Sequence, residues 1–140
     1  MKELAQQLKE KNLKVTPQRL AIFQMLTNTD EHPSAEAIYK ALESIHPTMS
    51  LATVYKTLDA LKKANLIQEL NVGEDCFRYD ARTHSHPHLI CISCTKVVDM
   101  ESIYLDDIRK RIEQDTNFDI VNEKIYFYGV CPDCKEKKED

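Results

Sequence analysis

Apolar residues recur every three or four positions through the first half of the chain, a period that predicts helices. The first predicted helix covers residues 2–11, where Leu4 and Leu8 form a weak stripe. A second begins at Pro17, which suits the first helical position, after Thr16, which can cap the helix. The first half of the chain is therefore expected to be mainly helical.

Ser34 and Ser50 mark the starts of two more predicted helices, because serine side chains cap helices well. The helix after Ser34 is expected to end before Pro47, since the residue before a proline avoids the helical conformation. Its predicted buried face comprises Ile38, Leu42 and Ile45. The predicted buried face of the helix after Ser50 comprises Leu51, Val54, Leu58 and Leu61.

The pattern changes after Asn65, where the residues predict two short strands. The strands cover residues 66–70 and 76–80, and Gly73 in their short connection favours a hairpin. Helices followed by a two-stranded ribbon are the element order of a winged helix-turn-helix. We place this predicted domain at residues 1–80.

The rest of the chain predicts a small α/β domain at residues 81–140. The predicted strands are residues 88–92, 96–100, 118–121 and 124–130. One amphipathic helix, at residues 102–114, is predicted to turn Ile103, Ile108 and Ile112 inward. A unit this small often completes its core by dimerising, so we expect a homodimer. The predicted fold class of the whole chain is α+β.

Composition agrees with a folded protein, since 42% of the 140 residues are apolar, 30% are charged and only 2 are glycine. No apolar run approaches the roughly 20 residues that cross a bilayer. Charges begin at Lys2, so no secretory signal is predicted either. We therefore expect a cytoplasmic protein with no membrane partner.

The net charge of −4 disfavours DNA binding by the chain as a whole, because affinity for DNA depends on cations that neutralise phosphates. The charge is unevenly distributed, however. Residues 9–63 hold eight Lys or Arg against six Asp or Glu, whereas residues 81–140 hold nine against twelve. The acidic excess thus lies in the C-terminal part, which leaves room for a basic face on the N-terminal domain.

Four of the five cysteines form two C-x-x-C pairs, Cys91 with Cys94 and Cys131 with Cys134, separated by 36 residues. Each pair is predicted to lie in a tight turn at a strand end, so that two thiolates face one ion. Two such turns make the closed tetrahedral sulfur shell that Zn²⁺ prefers in structural sites. Two local disulfides or a redox pair are the alternatives. The fifth cysteine, Cys76, is interpreted as a free structural thiol.

A second candidate metal site combines histidines and carboxylates. His86 and His88 alternate at the start of a predicted strand and so point the same way. Asp80 ends the preceding strand, and Asp99 lies near the end of the next one. Mixed nitrogen and oxygen ligands suit Fe²⁺ or Mn²⁺, with Zn²⁺ as a competitor. The alternative is a polar surface loop between the domains. His84 belongs to the same stretch and is interpreted as either an alternate ligand or a surface residue.

The helix predicted after Ser50 holds the recognition position of the apparent helix-turn-helix. Its apolar stripe leaves small, hydroxyl, aromatic and basic side chains on the other faces. Such groups can contact base edges, and Lys56 can meet phosphate. The predicted DNA contacts are Lys14, Arg19, Ser50, Ala52, Thr53, Tyr55, Lys56 and Thr57. The alternative is a solvated helix face.

Five segments together resemble the ferric uptake regulator family of bacterial metal-dependent repressors, and the similarity covers essentially the whole chain. The segments are VTPQR at residues 15–19, HPSA at 32–35, SLATVYKTL at 50–58, HPHLIC at 86–91 and YGVC at 128–131. The resemblance implies a winged-helix domain hinged to a dimerisation domain, a structural zinc on the four paired cysteines, and a regulatory metal between the domains. The implied regulatory ligands are His32, Asp80, His86, His88 and Asp99. Spacing alone would make His32 a solvated loop residue.

The resemblance also implies a mechanism, in which bound metal holds a dimer that presents two recognition helices to a palindromic operator. Iron sensors of the family usually carry Glu at the positions of Asp80 and Asp99, whereas the peroxide-sensing branch is similar to this chain in having Asp at both. In that branch Fe²⁺ reacts with hydrogen peroxide, a ligand histidine is oxidised, and the repressor leaves DNA. The matching histidines are His32 and His86, and Mn²⁺ supports DNA binding but resists peroxide. We therefore predict a peroxide-sensing transcriptional repressor, with peroxide as its only small-molecule substrate.

Three alternatives stay open. An iron-responsive or other metal-level-responsive repressor of the same family would survive peroxide. A small metalloenzyme would use the His/Asp site as an open centre, but the sequence offers no general acid or base there beyond the ligands. A zinc-stabilised module would only dimerise. A full further metal site, of the kind found in many iron-sensing relatives, is not expected. Those relatives use a histidine on the strand before the last C-x-x-C pair; here the matching place is Glu123 or a neighbour, and no histidine occurs after His88.

Overall fold

A computed structural model divides the chain into two compact units, Met1–Thr83 and His84–Asp140. The described residues are 2–73, 76–81, 86–101, 105–121 and 123–137. Helices and a hairpin come first, and a second small sheet with helices follows, so the fold is α+β as predicted. Within the described residues, no helix has both the length and the apolar character that crossing a membrane requires.

The first unit begins with helices whose start signals act as predicted. The helices are α1 (Lys2–Glu10), α2 (Pro17–Thr27), α3 (Ala35–Leu42) and α4 (Leu51–Lys63). The side-chain oxygens of Thr16, Ser34 and Ser50 each accept a hydrogen bond from the backbone N–H three residues later. The hairpin consists of the antiparallel strands β1 (Gln68–Asn71) and β2 (Phe77–Asp80). Helices α2 to α4 with this ribbon behind them have the arrangement of a winged helix-turn-helix, in which α4 stands at the position of a recognition helix.

A continuous hydrophobic core joins these elements. Its fully buried members include Leu8, Ile22, Phe23, Leu26, Ile38, Val54, Leu58 and Leu61. One predicted member is wrong: the side chain of Ile45 is 69% exposed. The reason is that α3 ends at Leu42, so the residues after it no longer follow the helical period that would have turned Ile45 inward.

The described part of the second unit consists of a three-stranded sheet and two helices. Its elements are β3 (His88–Cys91), β4 (Val97–Asp99), α5 (Asp106–Thr116), β5 (Tyr126–Gly129) and α6 (Pro132–Lys137). The central strand β3 pairs antiparallel with β4 and parallel with β5. This parallel pairing places the end of β3 beside the end of β5, which is where the cysteine pairs lie.

Two predictions for this unit need correction. Residues 118–121 are not a strand. The backbone N–H of Ile120 donates to the Glu113 carboxylate instead of to the backbone of a neighbouring strand, and Val121 is 96% exposed. Helix α5 is described from Asp106 onward, and Ile103 lies outside the described residues. Ile108 and Ile112 on that helix are about half exposed, although the pattern predicted them to be inward. The short α6 was not predicted.

Candidate metal centres and DNA-binding surface

The four paired cysteines lie together in the second unit. Cys91 ends β3, Cys94 follows in the turn, Cys131 follows β5, and Cys134 lies on α6. Cys91 pairs with Gly129 in the parallel register, so the two strand ends meet there. The four Sγ atoms all lie within 4.8 Å of one another.

The spacing of these sulfur atoms fits a tetrahedral zinc ion. Zn–S bonds of about 2.3 Å require sulfur atoms about 3.8 Å apart, and Sγ of Cys94 lies 3.8 Å from Sγ of Cys131. All five cysteines are free thiols. The predicted turn at the second pair is replaced by α6, which begins at Pro132 and presents Cys134 three positions after Cys131. Spacing of three on a helical turn still places both thiols on one side.

Hydrogen bonds distribute negative charge unevenly among the four thiols. The backbone N–H of Cys131, with that of Cys94, lowers the pKa of Cys91 to about 6. Hydrogen bonding to the Cys131 sulfur raises the pKa of Cys134 to about 12. Four thiolates this close repel one another, and a divalent cation would remove that conflict. The donor set therefore fits a structural zinc site with no open position.

His32 and Asp80 form a buried pair in the first unit. Nε2 of His32 lies 3.3 Å from Oδ2 of Asp80. Two hydrogen bonds hold the histidine loop against β2: Arg78 donates from Nη1 to the His32 carbonyl at 3.1 Å, and the Tyr79 N–H donates to the Pro33 carbonyl at 3.0 Å. These contacts place the imidazole beside the carboxylate that ends β2.

The backbone of His32 is left-handed, with φ of 55°. A residue other than glycine adopts this conformation at a cost of about 1 kcal/mol. The hydrogen bonds to β2 hold the loop in this form. Spacing along the chain could not reveal the pair, because the partner of the His32 carbonyl is 46 positions away in sequence.

His86, His88 and Asp99 form a second group in the other unit. The register of β3 with β4 sets His88 directly opposite Asp99. Oδ1 of Asp99 lies 3.2 Å from Nε2 of His88 and 3.3 Å from Nε2 of His86. The two imidazole rings are 4.3 Å apart between centroids, and both are buried. Two imidazoles and a carboxylate are ligands that suit a divalent metal such as Fe²⁺ or Mn²⁺.

Two further described positions, Glu123 and Cys76, do not belong to these groups. His84 lies outside the described residues. Glu123 accepts a hydrogen bond from Arg109. Cys76 is exposed and lies just before β2, apart from the zinc cluster.

The recognition helix α4 exposes most of its predicted DNA contacts. Ala52, Tyr55 and Lys56 are exposed, and Thr53 is half-buried. The hydroxyls of Ser50 and Thr53 lie 3.0 Å apart at the start of the helix, where the Ser50 side chain also serves as the cap. This surface has the small, hydroxyl and aromatic groups that contact base edges.

The prediction that Thr57 contacts DNA needs correction, because its side chain is buried, with only 4% exposed. It stands three residues after Val54 and four before Leu61, so the helical period turns it toward the core with them. At the start of α2, Nη1 of Arg19 donates to the Lys14 carbonyl at 2.9 Å. Lys14 itself is exposed, so a cation is available beside the helix-turn-helix.

Comparison with known proteins identifies the family. The profile of the ferric uptake regulator family matches residues 10–128. The chain is 55% identical over 137 residues to the transcriptional regulator PerR of Clostridium acetobutylicum, which covers 98% of this chain and 99% of that protein. It is 40% identical over 138 residues to the peroxide operon regulator of Bacillus subtilis, and this match covers 99% of this chain and 95% of that protein.

A solved structure agrees with the sequence comparisons. The crystal structure of the Vibrio cholerae ferric uptake regulator matches with a TM-score of 0.80 at 32% identity, covering 91% of this chain and 98% of that one. The winged helix, the cysteine cluster and the sequence matches thus agree with the resemblance seen in the motifs. The chain belongs to the ferric uptake regulator family.

Proposed function

We propose that the chain is a metal-dependent transcriptional repressor that senses hydrogen peroxide. The observation that carries the proposal is that each unit holds its own buried group of histidine and aspartate side chains, one beside β2 and one on β3 and β4. The likeness to a peroxide operon regulator supports the peroxide branch of the family. Family membership makes the chain a regulator of transcription rather than an enzyme.

The cysteine cluster is proposed to hold a structural zinc ion. Cys91, Cys94, Cys131 and Cys134 would fill all four positions of a tetrahedral shell, so no position remains for substrate. Such an ion ties the end of β3 to α6 and thereby stabilises the second unit. Zinc, in this role, is not the sensing metal.

The regulatory metal is proposed to be one Fe²⁺ or Mn²⁺ ion that all five histidine and aspartate ligands share. The pair His32 and Asp80 would bind it from the DNA-binding unit, and the group around Asp99 would bind it from the second unit. An ion bound by both groups favours one arrangement of the recognition helices, because it binds that arrangement best. Metal and operator DNA must then strengthen each other's binding equally.

Peroxide sensing is proposed to occur by oxidation of His32 or His86. Bound iron supplies the peroxide-reducing chemistry that manganese does not. In the net reaction, one oxygen of H₂O₂ is inserted into a C–H bond of the imidazole ring and the other leaves as water, so the ring is oxidised as the peroxide is reduced. The oxidised ring would be a weaker ligand, so the site would lose affinity for its metal and the repressor would leave DNA.

The second unit offers a surface for the proposed homodimer. Leu89 stands beside Val98 on β4 and beside Phe127 on β5, so the three side chains form a row across one face of the sheet. All three are exposed in the single chain. A second copy that covers this row would remove apolar surface from water. The dimer is expected to bind a palindromic operator and, as a DNA-binding regulator, to act in the cytoplasm.

The test is DNA binding by the zinc-containing protein loaded with Mn²⁺ or, without oxygen, with Fe²⁺. A random duplex library identifies the preferred sequence, and peroxide is then added to both forms. We expect binding to require the second metal, and peroxide to release only the iron form. If peroxide releases neither the iron form nor the manganese form from DNA, the chain is a metal-level sensor. A chain that binds DNA in no metal form would be a zinc-stabilised dimerising module.

A further inference from the structure

One exposed side chain of the recognition helix is held by the helix before it. Tyr55 on α4 is 44% exposed, and its hydroxyl donates to Oε1 of Glu36 at 2.5 Å. Glu36 lies in the first turn of α3. The two helices of the helix-turn-helix are therefore joined on their outer surface by a charge-assisted hydrogen bond.

The carboxylate of Glu36 is well placed to stay ionised. The first turn of a helix favours an anion, because unpaired backbone N–H groups point toward it. The hydrogen bond from Tyr55 lowers the pKa of Glu36, and the same bond raises the pKa of Tyr55. At neutral pH the pair is thus a carboxylate beside a protonated phenol.

A carboxylate on a DNA-binding face needs a reason, because it repels phosphates and weakens binding to every sequence. Its effect on Tyr55 supplies one. A tyrosine hydroxyl with its proton available can donate to any phosphate, which is a contact without sequence information. When Glu36 accepts the hydrogen bond from that hydroxyl, the helix presents the ring instead, and ring contacts with thymine methyl groups depend on the base.

We propose that Glu36 is a specificity-determining residue that positions Tyr55 to contact bases rather than phosphates. This inference rests on the proposed binding of DNA by α4. It assigns Glu36 a role opposite to that of Lys56, because Glu36 lowers affinity for non-specific DNA while it raises affinity for one sequence.

The test compares two probes with the Mn²⁺-loaded protein. One is the duplex that the unmodified chain enriches from a random library, and the other is a scrambled duplex of equal length and composition. The variants are Glu36→Ala, Tyr55→Phe and their combination, with Glu36→Gln, which keeps an acceptor without the charge. The matched control is Glu43→Ala, which removes an exposed carboxylate from the other end of α3.

We expect Glu36→Ala to lower the ratio of specific to non-specific affinity by about tenfold, the size of one base contact. It should bind the enriched duplex more weakly and the scrambled duplex more tightly. Tyr55→Phe should lower the ratio similarly. The double variant should lower it no further, because each single substitution already removes the same interaction. Glu36→Gln should keep most of the ratio. Glu43→Ala should strengthen binding to both duplexes by the same factor.

Three results would overturn the inference. The ratio for Glu36→Ala would equal that for Glu43→Ala if only net charge mattered. The effects of Glu36→Ala and Tyr55→Phe would add if the two side chains acted independently. If the unmodified Mn²⁺-loaded chain enriches no sequence at all, the proposed DNA-binding function fails and this inference fails with it. Equal zinc content and circular dichroism spectra show that the variants are folded.

Discussion

Replacing Cys94 with serine is expected to unfold the second unit while the first unit stays folded. In the described part of the second unit, the buried aliphatic side chains are Ile90, Val97 and Leu105. Burying them contributes about 2 kcal/mol each, or about 6 kcal/mol together. A structural zinc ion contributes on the order of 10 kcal/mol or more. A zinc ion bound by the four cysteines would therefore contribute more to this unit than its apolar core does.

The assay measures zinc content and thermal unfolding together. Cys94→Ser leaves three thiolates, and we expect zinc affinity to fall by at least about a hundredfold. After dialysis against a chelator, the variant should hold no zinc and should lose the part of the dichroism signal that comes from the second unit. Cys76→Ser is the matched control, because Cys76 is exposed and outside the cluster. It should keep both zinc and the unfolding midpoint.

A specific result would refute this reasoning. If Cys94→Ser retains a full equivalent of zinc and unfolds at the temperature of the unmodified chain, the cluster is not the stabilising site. Loss of zinc without any change in unfolding would show instead that the second unit is held by its apolar contacts, including those expected in the dimer.

Three further predictions concern the regulatory site, the zinc site and the dimer. His86→Ala should abolish Mn²⁺-dependent DNA binding in gel-shift assays without loss of zinc, whereas His46→Ala, outside both ligand groups, should not; retained metal dependence would remove His86 from the site. The lowered pKa of Cys91 means that the folded state favours its thiolate, a stabilisation present above its ordinary pKa of 9.0 and lost as the pH falls through about 6. Protons compete with zinc for this thiolate, so zinc release to a chelator should accelerate as the pH falls, and a rate independent of pH would contradict the assignment. Phe127→Asp places a charge in the exposed apolar row and should give monomers in sedimentation experiments; an unchanged dimer would mean that another face is used.

Local chemistry explains why much of the first unit could be predicted from the sequence. The cap at Ser34 needs only a side chain and the backbone three residues on, so the sequence contains all of it. The prediction that Ile45 is buried was wrong because the turn after α3 decides where that helix ends. The strand predicted at residues 118–121 was wrong because its apolar pattern was taken to mean packing against a neighbouring strand of the same chain. Val121 shows that an apolar residue can instead be exposed in the single chain.

The candidate sites divide in the same way. Two C-x-x-C pairs predict a zinc cluster directly, because each pair already sets two thiols side by side. His32 is different, since its place beside Asp80 depends on hydrogen bonds to a distant strand and on a left-handed backbone. Only the family resemblance indicated it. The contact between Glu36 and Tyr55 has no sequence signature either, because it joins two helices through their outer surfaces.

Peroxide sensing by oxidation of a ligand histidine is tested most directly by peptide mass analysis. The zinc-containing protein is loaded with Fe²⁺ without oxygen and exposed briefly to dilute peroxide, and the Mn²⁺-loaded form is treated identically. We predict one added oxygen atom on His32 or His86, only in the iron form, together with loss of DNA binding. Unmodified histidines in an iron-loaded protein that still binds DNA after peroxide would contradict the peroxide-sensing function.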